Sequence, residues 1–209
     1  VTIQKCWSYK RVSYQLSEAV IHHADQVIAL GNAMFSEEVS YTQAQFYMKI
    51  ISLCHAHRLT KDQKYLTQTQ VLLRSSEAFR GQQPDYHINN LGVRYWDLYW
   101  FGKMRSYGDT MPQWLCALCG EMYFLLGEET GNTEFAQIGK AILRNCLCVY
   151  DRTGFGSSGY LVPYRINVYY SDKSLEYRAI RHGTTYGGRY DDWANDQDWS
   201  LYYAVLRNV

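Results

Sequence analysis

An internal repeat constrains this chain more than any other feature. AHRLTKDQKYLTQTQVLLR, residues 56–74, aligns without a gap on LGEETGNTEFAQIGKAILR, residues 126–144. Thr60 falls on Thr130, Asp62 on Asn132, Tyr65 on Phe135, and Leu73-Arg74 on Leu143-Arg144. Each copy reads as the end of one helix, a tight polar turn and the start of the next. So short a turn forces its two helices to lie side by side and antiparallel. Recurrence of the hairpin predicts a helical array or a ring of hairpins.

Apolar spacing extends the array in both directions. Residues 11–34 place Leu16, Val20, Ala24, Val27, Ile28 and Leu30 near helical spacing, and residues 41–59 do so with Ala44, Tyr47, Met48, Ile51 and Leu53. Further helices are predicted over 61–80, 110–127 and 132–150, and a last one from about Asn195. Two long polar, aromatic segments interrupt them, 81–109 and 151–194. Within the second, GYLVPYRINVYY alternates as a strand does and predicts a small β excursion around 155–190. At 209 residues the chain is one helical-hairpin domain, all-α in class.

A net charge of +1 gives no basic stripe for nucleic acid, and none is expected as a partner. No apolar run reaches the roughly 18 residues of a membrane span, so no membrane partner is expected. VTIQKCWSYKR lacks the apolar centre of a signal peptide, and the absence of a leading Met fits a processed chain or a piece of a longer one. Of the six cysteines, Cys54, Cys116, Cys119, Cys146 and Cys148 lie within apolar helical patterns. Cys116-x-x-Cys119 has half the spacing of a zinc site but no matching second half, so buried thiols are expected and no metal or other cofactor. Reduced thiols favour a cytoplasmic setting. G-x-S-x-G, the phosphate-binding GxxxxGK[ST] and HExxH are all absent.

The repeated turn has the form T-x-D/N-x-x-Y/F after a helix end. That pattern resembles the hairpin turns of (α/α) toroid carbohydrate-active enzymes, the six-hairpin glycosidases and their lyase relatives. QPDYHINNLGVRYWDLYWFGK (83–103), YGDTMPQW (107–114) and YDDWANDQDWSLYYAVLR (190–207) are similar to segments from the C-terminal half of such proteins. The resemblance covers about residues 41–209. It implies substrate binding at one end of the barrel, in the loops that join the helices. Six hairpins need far more chain than this. The resemblance therefore implies roughly half a ring, with the rest of the toroid in a separate piece or a homo-oligomer as partner.

The two long segments hold the residues such chemistry would use. Twenty tyrosines occur in the chain, many of them here, and aromatic residues in polar surroundings usually keep one wet edge. Glycosidic cleavage generally needs two carboxyl groups, one protonated and one ionised, and burial against indole raises a carboxyl pKa. Asp97 lies between Trp96 and Trp100, and Asp109 precedes a predicted helix. With Thr110 and Pro112, Asp109 also reads as an ordinary helix cap. The last segment repeats the ambiguity. Asn195 with Asp198 has the spacing of a capping box, and Asp196 suits the helix dipole. A helix start does not require the preceding Tyr190, Asp191, Asp192 and Trp193, and that excess is the functional part of the signal.

His87 is a candidate acid, base or hydroxyl donor. Arg94 suits a uronate carboxylate, which it can bind bidentately. The remaining histidines at 22, 23, 55 and 57 read as helix-face residues. The expected catalytic set is Asp97, Asp109, Asp191, Asp192 and His87. Substrate contacts are expected from Arg94, Trp100, Tyr107, Trp114, Tyr190, Trp193 and Asp196.

Three functions compete. The main reading is a glycoside hydrolase acting on an oligo- or polysaccharide. The alternative is a polysaccharide lyase, with Tyr107 or His87 as base and Arg94 neutralising a uronate. The third is a non-catalytic helical module that binds glycan or protein. Either enzyme requires segments 83–110 and 186–198 to meet at one end of the helices.

Overall fold

The computed structural model describes residues 2–31, 39–77, 99–100, 104–105, 109–154, 156, 159–167, 185–190 and 198–209. Among the described residues six helices carry the fold: α1 (Thr2–Leu30), α2 (Val39–Thr60), α3 (Gln63–Ser76), α4 (Gln113–Thr130), α5 (Thr133–Cys146) and α6 (Asp198–Leu206). A 3-10 turn, Leu147–Val149, extends α5. The strands are β1 (Tyr99–Trp100), β2 (Met104–Arg105), β3 (Asp109–Pro112), β4 (Gly159–Asn167) and β5 (Thr185–Tyr190).

The two repeat copies form one structure twice. In the first, Thr60 Oγ1 donates to the Ala56 carbonyl and accepts from the Asp62 N–H, and Asp62 Oδ1 accepts from the Lys64 N–H. In the second, Thr130 Oγ1 donates to the Leu126 carbonyl and accepts from the Asn132 N–H, and Asn132 Oδ1 accepts from the Glu134 N–H. The residue between is left-handed in both, Lys61 at φ 60 and Gly131 at φ 69. The side-chain cap satisfies a helix N–H that would otherwise lack a partner, which is why Asp and Asn hold this position. Burial repeats at the same offsets. Thr69, Leu72 and Ser76 are buried in α3, and Gly139, Ile142 and Cys146 in α5.

α4 is apolar almost all round, and Cys116–Tyr123 and Leu125–Gly127 are buried. A helix of that composition belongs inside, and α4 packs against α2, α5 and α6. The approach to α5 is close. A Cβ placed on Gly139 would lie 2.7 Å from the Gly120 carbonyl oxygen, so only glycine lets the backbones meet there. Tyr47 and Ile50 of α2, Tyr65 of α3, Met122 and Leu125 of α4 and Ile142 of α5 share one core with Ala24 and Val27 of α1. Asp25 ties α1 to α3, accepting from Tyr65 Oη at 2.9 Å and pairing with Lys64 Nζ at 2.9 Å. The core thiols Cys54, Cys116, Cys119 and Cys146 are buried and not disulfide-bonded, as is the partly buried Cys148.

Ion pairs fix the relative sense of the helices. His57 and Arg58 near the end of α2 meet Glu128 and Glu129 near the end of α4, so those helices run parallel. Arg207, just past α6, meets Glu121 and Glu128, so α6 runs parallel to α4. Hence the two tight turns share one end of the array, the turn end. The start of α4, the end of α5 and the start of α6 share the other, where Ser200 Oγ donates to Tyr150 Oη at 3.3 Å. β3, β4 and β5 form an antiparallel sheet in that order at this second end, the sheet end.

Several sequence expectations change. α1 ends at Leu30, earlier than the expected 34, with Gly31 left-handed at φ 49 after it. Asp109 is not a helix cap, because Asp109–Pro112 forms β3 and α4 begins at Gln113. Pairing of Asp109 with Val162 takes the backbone that a cap would have used. The β excursion around 155–190 is present as β4 and β5, and β3 joins it. α6 is described from Asp198 onward, and the proposed Asn195 cap lies outside the described residues. The architecture is an all-α helical-hairpin array with a small sheet.

Candidate functional site

The sheet end gathers the flanks of both long segments. The first leaves α3 at Glu77 and returns through β3 into α4. The second leaves the 3-10 turn after α5, forms β4 and β5, and returns into α6. Both enter and leave the array at the end where the helices are not joined by tight turns, because parallel α2, α4 and α6 point their C-termini the other way.

Strand register brings the two segments onto one sheet. Asp109 pairs with Val162 and Pro112 with Gly159, while Gly159 also pairs with Tyr190. Pro112, Gly159 and Tyr190 therefore form one row across three strands. At about 4.8 Å between neighbouring strands, the Pro112 and Tyr190 backbones stand about 10 Å apart. Asp109 lies three residues before Pro112, and Trp114 two residues after it, in the first turn of α4. Between Leu161 and Ile166 the β4–β5 register shifts, as at a bulge. Bulges bend a strand and are common beside binding sites. Trp100 closes a separate short ladder, pairing with Met104.

Of the residues singled out from sequence, Asp109, Trp100, Trp114 and Tyr190 are thus placed by backbone. Asp109, Trp114 and Tyr190 come to the same end of the array. Asp97, His87, Arg94, Tyr107, Asp191, Asp192, Trp193 and Asp196 lie outside the described residues. Asp191 and Asp192 follow directly on Tyr190 in the chain.

The turn end carries a charged feature that the sequence reading treated as helix surface. A ladder runs His57–Glu129–Arg58–Glu128–Arg207–Glu121. His57 Nδ1 lies 2.6 Å from Glu129 Oε2, and Arg58 Nε donates to Glu129 Oε1 at 2.7 Å. Arg58 Nη2 and Arg207 Nη1 donate to the two oxygens of Glu128, at 2.7 and 2.6 Å. Arg207 Nε and Nη2 grip both oxygens of Glu121, at 2.7 and 2.5 Å, and its guanidinium lies 5.3 Å from the Phe124 ring centre. Burial alone would raise the Glu129 carboxyl pKa. Hydrogen bonds from Arg58 and His57 outweigh it and hold the pKa below the usual value. Burial lowers the pKa of His55 beside this ladder. The repeat did hold a signal for the ladder. His57-Arg58 aligns on Gly127-Glu128, one residue before Glu129, so parallel helices set base against acid.

A groove of about 420 Å³ also lies at the turn end, lined by Ser13, Leu16, Ser17 and Val20 of α1 and His55, Arg58 and Leu59 of α2. It lies at the end of the array opposite to β3, β4 and β5. The buried thiols are poor nucleophiles, since burial pushes Cys54 up to about 12 and raises Cys146 well above its usual value. Among the described residues no cluster of His, Cys, Asp and Glu is arranged to hold a metal, the Cys116-x-x-Cys119 pair included. Among them, too, no helix is long and apolar enough to cross a membrane.

No protein-family model and no curated protein matches the chain. Among solved structures it is similar to a polysaccharide lyase, with a TM-score of 0.72 and 31% identity over 98% of this chain. The chain spans 28% of that protein's length. The likeness supports an arc of an (α/α) toroid and does not single out the six-hairpin glycosidases among toroid proteins.

Proposed function

We propose that this chain is one arc of a toroidal carbohydrate-active enzyme, and that the enzyme is a polysaccharide lyase. The observation that carries the proposal is the likeness to a polysaccharide lyase over 98% of the chain at 31% identity. It favours elimination over the hydrolysis that the paired aspartates first suggested.

Elimination makes demands that the chain's own residues can meet. A base must take the proton at C5 of a uronate, whose carboxylate must be neutralised to make that proton acidic. The C5–H electron pair then forms the C4–C5 double bond as the C4–O bond breaks, and the departing oxygen takes a proton. Tyr107 or His87 is the proposed base, and Arg94 the bidentate partner of the carboxylate. Trp100, Trp114, Tyr190 and Trp193 supply apolar faces for sugar rings. Asp97, Asp109, Asp191, Asp192 and Asp196 accept hydrogen bonds from sugar hydroxyls in this reading, and are not an acid and nucleophile pair. Convergence of the strands bearing Asp109 and Tyr190 at the sheet end supports a cleft there.

The test is the product formed from uronate-containing polysaccharides. Elimination creates an unsaturated uronate that absorbs near the ultraviolet edge, and this product is expected. Reducing ends without that absorbance would restore the hydrolase. Neither product would leave a non-catalytic glycan-binding arc. Asp109→Asn sharpens the comparison, since β3 removes any capping role from Asp109. The unsaturated product should still form in the variant, whereas a hydrolase that uses Asp109 as its acid would lose activity.

A further inference from the structure

We propose that the gap between α3 and α5 binds a uronate residue of a polysaccharide, with Arg74 as the partner of its carboxylate. The repeat carries this inference, because the same gap is closed at one hairpin and open at the next. Tyr65 and Phe135 are equivalent positions, three residues after the Asp62 and Asn132 caps. Tyr65 faces α1, where Asp25 accepts from its Oη and pairs with Lys64 Nζ, both at 2.9 Å. A carboxylate therefore bridges the first pair of neighbouring helices, held by a hydroxyl and a cation. Phe135 faces α3 but has no hydroxyl, and Glu134 replaces Lys64. Here the cation is Arg74 of α3, and among the described residues no acid pairs with it. The gap stays open, with a volume of about 290 Å³. Helices on both sides of it belong to hairpins within the chain, so the opening is no edge of the array.

The lining mixes apolar surface with two donors. Leu73, Leu126 and Phe135 supply the apolar part. Gln70 and Arg74 stand four residues apart on α3 and share one face of that helix. The Thr69 and Thr130 hydroxyls also line the gap, but they already donate to the Leu66 and Leu126 carbonyls. The side-chain donors left for a ligand are the Gln70 amide and the Arg74 guanidinium. Apolar walls with a few placed polar groups are what a small-molecule site requires.

The first gap specifies the occupant. What Asp25 contributes there is a carboxylate, and a guanidinium binds a carboxylate through two parallel hydrogen bonds. A bare anion would leave Leu73 and Phe135 in water, and a neutral sugar would leave Arg74 without a counter-charge. A uronate has both the carboxylate and a C–H face for apolar surface. The choice of a uronate among organic acids rests on the lyase reading, whereas the unmatched cation does not. Leu126, Thr130 and Phe135 adjoin the second tight turn, so this site is distinct from the sheet end.

The experiment titrates the isotope-labelled 209-residue chain with D-glucuronate, D-glucose and acetate, and follows the Arg74 Nε–H and the Phe135 ring by nuclear magnetic resonance. Glucuronate should shift both signals to saturation, glucose should shift neither, and acetate should bind more weakly than glucuronate. Arg74→Gln should weaken glucuronate binding about tenfold, read at the Phe135 ring. Gln70→Glu sets an internal carboxylate one turn from Arg74, as Asp25 serves the first gap. It should weaken binding similarly without lowering the thermal midpoint, since such a pair supports a helix. No shift with glucuronate, an equal response to glucose, acetate binding as tight as glucuronate, or binding that survives both variants overturns the proposal. The readout is local, so it is separable from elimination at the sheet end. Unsaturated product with silent Arg74 and Phe135 signals would overturn this site and leave the lyase. Saturating shifts without product would support the site and count against the lyase.

Discussion

Lys61 holds a backbone conformation that its neighbouring repeat assigns to glycine. Lys61 sits at φ 60 and Gly131 at φ 69, in turns with the same hydrogen bonds on either side. An L side chain in this region costs roughly 1–2 kcal/mol in steric terms. Glycine avoids that cost but loses more conformational freedom on folding, by about 0.5–1 kcal/mol. Lys61→Gly should therefore stabilise the protein by about 0.5–1 kcal/mol, or roughly 1–4 °C in a chain of this size. The reverse change is cleaner still. A Cβ on Gly131 would meet nothing within 4 Å, so Gly131→Ala introduces backbone strain without a clash. It should cost about 1 kcal/mol. Urea unfolding followed by far-ultraviolet circular dichroism measures both, provided the dependence on denaturant is unchanged. Loss of stability in Lys61→Gly, or a neutral Gly131→Ala, would refute the equivalence of the two turns.

Gly139→Ala should lose about 1–3 kcal/mol by the same measurement, because its methyl would sit 2.7 Å from the Gly120 carbonyl oxygen and 2.9 Å from the Phe124 ring. A loss under about 0.5 kcal/mol would mean that α4 and α5 separate easily. Glu129→Gln should flatten the acid limb of the stability curve. The Glu129 carboxyl has a lower pKa folded than unfolded. Below the ordinary carboxylate pKa of about 4.3, the unfolded chain therefore binds the extra proton, and stability falls as pH drops. Urea midpoints at neutral and at acid pH test this, and an unchanged slope in the variant would show that Glu129 does not contribute.

The hairpins were legible because everything that makes them is local. Thr, Asx and an aromatic at fixed spacing define the turn, and the Thr60 and Thr130 hydroxyls act within four residues. The end of α1 was misjudged, because apolar spacing carried the helix to residue 34, past the left-handed stop at Gly31. Asp109 misled because its local environment is a good cap signal. What decided its conformation was pairing with Val162, some fifty residues on, and no local pattern announces such a partner. The β4 alternation was visible, whereas its neighbours β3 and β5 were not, since TYGGRY and DTMP have little apolar periodicity. The charged ladder was legible only through the repeat. His57 and Glu129 look like separate surface residues until α2 and α4 are known to be parallel. For the candidate site, sequence and strand register agree that Asp109 and Tyr190 share a sheet end, and the acids that follow Tyr190 lie outside the described residues.

The left-handed turns leave no slack between the helices they join. One residue more or fewer would rotate the next helix by about 100° and swing its buried stripe out of the core. The turn end should therefore tolerate substitution but not insertion or deletion. At the sheet end the long segments absorb changes in length before a helix feels them. A chain built this way can change in length at one end while the other end keeps the helices in phase.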